Sequence, residues 1–96
     1  MRLMSPPVVF IFRGCPPPRL MALAEWGFVV ASLARCPGVE HVTDIKRYAE
    51  GKFVVIVGDR KLAEKLGVGH ATVAEVEKFL RWLSKEVPVV YKPYIQ

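Results

Sequence analysis

Two cysteines, Cys15 and Cys36, are the side chains of this sequence with the most chemistry to offer. Cys15 lies in Arg13-Gly14-Cys15-Pro16-Pro17-Pro18-Arg19, just ahead of an apolar run that reads as a helix. A thiol near a helix start, with arginines on either side, is placed to ionise and act as a nucleophile. The three prolines after it carry no N–H, so the loop has few amides with which to cradle an oxyanion. Cys36 stands at the far end of the apolar run. A continuous helix over 19–34 is about 24 Å long at 1.5 Å per residue, whereas a disulfide requires Cα atoms within about 7 Å. The two cysteines are therefore expected not to bond within one chain, and any disulfide is expected to join two chains.

The other reactive types are sparse. His41 and His70 have no supporting ligand at metal-binding spacing, so no metal is expected. Gly67-Val68-Gly69-His70 is glycine-rich, but it follows a helix and lacks the Gly-x4-Gly-Lys-Ser/Thr pattern of a phosphate-binding loop. Asp59 reads as a helix cap. No catalytic set assembles and no cofactor is implied. The expectation is a non-enzymatic domain, with a thiol-dependent enzyme using Cys15 as one alternative.

Short stretches resemble known families. The Cys15 loop is similar in position to that of the low-molecular-weight tyrosine phosphatases, but its spacing is Cys-x3-Arg where theirs is Cys-x5-Arg. Thioredoxin-like enzymes also place a thiol after a strand, with a second cysteine where Pro18 stands here. Val57-Gly58-Asp59 resembles a fragment of the haloacid dehalogenase phosphatases, without their Asp-x-Asp. Val9-Phe10-Ile11-Phe12-Arg13-Gly14 resembles the first-strand signature of an RNA-recognition motif, in which an aromatic at the second position stacks on a base. That resemblance implies Phe10 as a stacking residue beside Arg13. Lys46, Arg47 and Lys52 then form a basic cluster suited to phosphate contacts. The Cys-Pro-Pro-Pro-Arg loop, followed by an apolar Trp-containing segment, Leu20–Leu33, resembles small proteins of hyperthermophilic archaea. One such protein groups structurally with the THUMP domains, which bind RNA in tRNA-modifying enzymes. The resemblance implies RNA as a partner and carries over no site residue.

The elements that must position these residues follow from periodicity and punctuation. Val8–Phe12 is a β-rich apolar run and reads as a buried strand. Arg19–Arg35 reads as the first helix, stopped by Cys36-Pro37-Gly38. A weakly patterned second strand is expected within 39–49. It turns at Glu50-Gly51 into the strand 52–57 to make a hairpin. Asp59 caps a short helix, Arg60–Leu66, that ends on Gly67. Thr72 and Glu75 form a capping box ahead of the clearest amphipathic helix, with Val73, Val76, Phe79, Leu80 and Leu83 on one side. Val87–Tyr91 reads as a last strand. The order β-α-β-β-α(α)-β predicts an α+β, ferredoxin-like single domain over residues 1–96, with helices on one face of an antiparallel sheet.

Composition bounds the class of protein. The 96 residues are 52% hydrophobic, with a formal net charge of +5, which excludes disorder and permits polyanion binding. Asparagine is absent, the one glutamine is Gln96, and there are eight prolines, a pattern that points to a thermophile. Neither a secretory leader at Met1–Pro7 nor a membrane span is expected, which places the chain in the cytoplasm. The 19–35 run is apolar on every side, and both strands 8–12 and 53–57 are apolar at consecutive positions. With one sheet face open, that surplus predicts a homodimer or larger assembly. A homodimeric interaction protein without nucleic acid is thus a further alternative to RNA binding.

Overall fold

The computed structural model describes residues 6–86. Among these residues five strands form one sheet: β1 Val8–Phe12, β2 Val29–Ser32, β3 Glu40–His41, β4 Phe53–Val57 and β5 Gly69–Ala71. Their order is β3-β2-β1-β4-β5, and every neighbouring pair is parallel. β1 lies at the centre, with Phe12 level with Ser32 on one side and with Val57 on the other. Four helices connect or follow the strands: α1 Ala22–Glu25, entered through a 3-10 turn at Pro18–Met21, α2 Ile45–Tyr48, α3 Arg60–Leu66 and α4 Val73–Glu86.

The expected antiparallel, one-faced sheet is therefore wrong. Phe10, Phe12, Phe28 and Val30 pack with Leu20, Leu23, Val76 and Leu83, so the 3-10 turn, α1 and α4 cover one face. Val9, Ile11, Ala31, Val54 and Ile56 pack with Ile45 and Ala63, so α2 and α3 cover the other. Consecutive apolar residues along a strand are what a parallel sheet buried on both faces requires. The step from β1 to β2 crosses one face. The steps from β3 to β4 and from β4 to β5 run the opposite way and cross the other face. A right-handed crossover demands that change of face. The architecture is a doubly wound, three-layer α/β sheet.

The correction starts within 19–35. The helix there lasts only through Glu25 and closes with the Gly27 N–H on the Ala24 carbonyl (3.1 Å) and the Phe28 N–H on the Leu23 carbonyl (3.1 Å). Gly27 takes φ +93°, a conformation that other residues enter only with strain, and it turns the chain into β2. The β-branched Val29 and Val30 then lie in a strand beside β1. The same break brings Cys15 and Cys36 to a Cα separation of 5.6 Å, where they form a disulfide within the chain, contrary to expectation.

The expected hairpin is also absent. Asp44 accepts the Arg47 N–H (3.2 Å) and caps α2 where a strand had been read. The turn through Gly51 then delivers β4 to β1, while β3 pairs only with β2. Other readings hold. Asp59 caps α3 by accepting the Leu62 N–H (3.0 Å), and Gly67 ends it at φ +70°. Thr72 and Glu75 exchange capping bonds at 2.8 and 3.0 Å. The strand expected at Val87–Tyr91 lies outside the described residues. No helix among the described residues is long and apolar enough to cross a membrane.

Candidate functional site

In a doubly wound sheet the loops at the carboxyl ends of the strands are where ligands meet the protein. The crevice opens where neighbouring connections leave in opposite directions. Here that point lies between β1 and β4, so Arg13 and Gly14 face Gly58 and Asp59. Arg13 Nη1 is 3.2 Å from Asp59 Oδ2, which joins the two loops across the switch point. Asp59 also caps α3, so its carboxylate is engaged twice. Sheets of this strand order that bind dinucleotides use a glycine-rich loop whose amides and following helix take the pyrophosphate. After Gly14 this loop runs Cys15-Pro16-Pro17-Pro18, which offers a single amide, into a short 3-10 turn. The switch point does not fit a dinucleotide.

The neighbouring loops, after β1 and β2, hold the distinctive chemistry. Ser32 is the last residue of β2 and is wholly buried. Its hydroxyl donates to the Gly14 carbonyl (2.7 Å) and accepts the Ala34 N–H (3.0 Å), tying the two loops together. The Leu33 N–H adds a bond to the Phe12 carbonyl (2.9 Å). Beside this polar anchor the Cys15–Cys36 disulfide closes the loops a second time. Cys15 is exposed and Cys36 half-buried. The bond forms part of the wall of an open groove of about 310 Å³ whose other lining residues are Pro16, Pro18, Met21, Pro37 and Val39. None of these carries a charge. The 3-10 turn begins from Pro17 at φ −58°, ψ 140°, the conformation proline prefers.

The residues expected to meet RNA do not form one surface. Phe10 is 7% exposed and packs edge-on against Phe28 with ring centroids 5.5 Å apart, so it is a core residue. Arg13 is bound to Asp59. Lys52 donates to the Tyr48 carbonyl (2.9 Å) and lies over the Tyr48 ring, 4.4 Å from its centroid. Lys46 and Arg47 are exposed on α2, around a shallow hollow that Asp44 and Glu50 also line. Burial, and then the Glu40 carboxylate that accepts from its hydroxyl, raise the Tyr48 pKa well above the usual phenol range, so the ring stays neutral.

A second apolar hollow, of about 250 Å³, lies between β4, β5 and α4, with Phe10, Val55, Val76 and Phe79 among its walls and His70 and Glu75 as its polar groups. Glu75 is committed to the capping box. The Thr72 N–H and hydroxyl hold its carboxyl below the usual range, with His70 adding a smaller effect. Among the described residues no three His, Cys, Asp or Glu gather as metal ligands. Among the described residues two large apolar side chains are exposed, Phe53 and Trp82. Strands β1 and β4, whose consecutive apolar residues led to the expectation of self-association, have helices packed on both faces.

Reasoning from the sequence found Cys15 but missed its partner, the anchoring Ser32 and the groove. The signal for all three was Gly27, which ends the helix early enough for Val29–Ser32 to return beside β1. No protein-family model matches the chain, and no curated protein or solved structure is similar to it.

Proposed function

We propose that this chain is a thiol–disulfide exchange domain that works through Cys15 and Cys36. The observation that carries the reading is a disulfide between an exposed residue, Cys15, and the half-buried Cys36, set beyond the end of the central strand and in the wall of an uncharged groove. Exchange requires an attacking thiolate, an accessible sulfur and a partner thiol close enough to resolve the mixed disulfide. Cys15 is the accessible sulfur and Cys36 the resolving one. In the dithiol form the Cys15 thiolate attacks a partner disulfide. One partner sulfur leaves as a thiolate, takes up a proton, and a mixed disulfide with Cys15 remains. The Cys36 thiolate then attacks the Cys15 sulfur, releases the second partner thiolate and re-forms Cys15–Cys36. Two electrons pass from the dithiol to the partner disulfide, and a dithiol reductant restores the starting state.

The test separates the two roles. Cys36→Ser is expected to accumulate a mixed disulfide on Cys15 when the reduced protein meets a protein disulfide, seen as added mass on the Cys15 peptide. Cys15→Ser is expected to form none and to lose turnover with dithiothreitol as regenerating reductant. Absence of any mixed disulfide on the Cys36→Ser variant would overturn the reading and leave the bond a structural staple.

RNA binding remains a second reading, on the narrower ground that Lys46 and Arg47 are exposed on α2 and neither enters an ion pair among the described residues. Neutralising both is expected to weaken binding to mixed tRNA at every salt concentration. The slope of log K against log salt should flatten by about one unit per lost phosphate contact. An unchanged slope would remove α2 from contact with RNA, and no affinity at low salt would remove RNA.

A further inference from the structure

We infer that the exchange partner is a polypeptide that lays an apolar side chain beside its cysteine into the groove next to Cys15, rather than a small charged disulfide such as oxidised glutathione. The inference rests on the exchange reading above and adds the class of substrate.

Five residues besides the cysteines line the groove: Pro16, Pro18, Met21, Pro37 and Val39. Three are prolines, without an N–H to donate, and none is charged. Such a surface has nothing with which to hold the two carboxylates and the ammonium of glutathione. What it can do is take apolar area out of water. Its position is as telling as its composition. The disulfide is part of the wall, so a side chain seated there belongs to a residue one or two positions from the sulfur that meets Cys15. The seat is also ready-made. Pro16 is buried, Met21 and Val39 pack against the core cluster of that sheet face, and the Pro17 backbone holds the proline conformation. A seat built largely from prolines loses little backbone entropy on binding, so less of the contact is offset by ordering. The Ser32 hydroxyl, bonded to Gly14 and Ala34, keeps the loop after β1 beside the loop after β2 from below. Those two loops are the two sides of the groove, so this anchor holds the seat in shape when the disulfide opens.

The experiment uses the reduced full chain and three disulfides. Two are short peptides carrying one cysteine as its mixed disulfide with thionitrobenzoate, one flanked by Leu and Phe and one by Gly and Asp. The third is hydroxyethyl disulfide, small and neutral. Release of thionitrobenzoate, or loss of protein thiol for the third, gives the second-order rate constants. The apolar peptide is expected to react about tenfold faster or more than the acidic one, the ratio that burial of one large aliphatic side chain supports. Pro37→Glu, at an exposed position, and separately Met21→Gln are expected to lower the rate on the apolar peptide. Both are expected to lower the ratio of the apolar-peptide rate to the hydroxyethyl disulfide rate, since the second rate corrects for any change at the thiols themselves. Equal rates on the two peptides, or variants that slow all three disulfides alike, would overturn the groove as the recognition surface while leaving exchange at Cys15 in place. No reaction with any of the three would overturn the exchange reading, and the groove inference with it.

Discussion

Replacing Cys15 and Cys36 together by alanine is expected to lower the stability of the domain by about 3 kcal/mol. For a chain of this length that appears as a fall in melting temperature of roughly 12–24 °C. The cross-link joins residues 21 apart and encloses the 3-10 turn, α1 and β2, so it removes many conformations from the unfolded chain. The native state loses little when the bond is cut, because the Ser32 bonds and the parallel pairing of β1 with β2 remain. Thermal unfolding of the wild type with and without dithiothreitol measures the effect. The reduced wild type should melt with the double alanine variant, well below the oxidised protein. Coincident melting of the oxidised and reduced wild type would show that the bond constrains nothing the fold does not already hold.

The same number bears on the direction of the proposed chemistry. By linkage, a bond that stabilises the fold is held closed by the fold to the same extent. A dithiol that gains stability on closing gives up its electrons readily, so the reduced chain acts as the reductant and its partner disulfide as the acceptor.

The helix ends were legible in the sequence because their signals are local. Asp59, Gly67 and the Thr72–Glu75 pair act through hydrogen bonds within four residues, and each appears where the residues put it. β1 was equally plain. What failed was the segment 26–32, where periodicity does not discriminate. Phe28, Val29 and Val30 are apolar whether the segment is a helix buried all round or a strand buried on both faces. Only the β-branching of the two valines and the glycine before Phe28 lean towards strand, and the preceding helical turn had already claimed them. From that one segment the other errors follow. With β2 absorbed into a helix, β1 loses its parallel neighbour, Glu40 and His41 become the start of a hairpin, and the cysteines stand at opposite ends of a rod. The consecutive apolar residues of β1 and β4, from which an open sheet face was inferred, belong to a parallel sheet with helices on both faces. Phe10 entered the RNA reading through the resemblance of Val9–Gly14 to the first strand of an RNA-recognition motif, and those six residues carry no information on which sheet face is covered.

The architecture makes its sharpest demand on two neighbours in the central strand, Phe10 and Ile11. Both Phe10→Ala and Ile11→Ala are expected to be severe, at about 3–5 and 2–5 kcal/mol respectively. Phe10 packs among Phe28 and Phe79 in the layer formed by α1 and α4. Ile11 is fully buried with Val42, Ile45, Ile56 and Ala63 in the layer formed by α2 and α3. Side chains alternate along a strand, so these two point to opposite faces. In a sheet covered on one face only, one of the two would meet water, and truncating it would change stability by about 0.5 kcal/mol or less. Denaturant unfolding of the two variants therefore reads the layer count directly. Domains of ordinary stability have about 5–15 kcal/mol in total, so either loss is a large share of it, and adding the loss of the disulfide should leave a chain partly unfolded at room temperature. A near-neutral result at either position would mean that one face is open after all. The groove beside Cys15 would then be affected only if the open face were the one on Phe10's side, because Met21 and Val39 hold their places by packing against that layer.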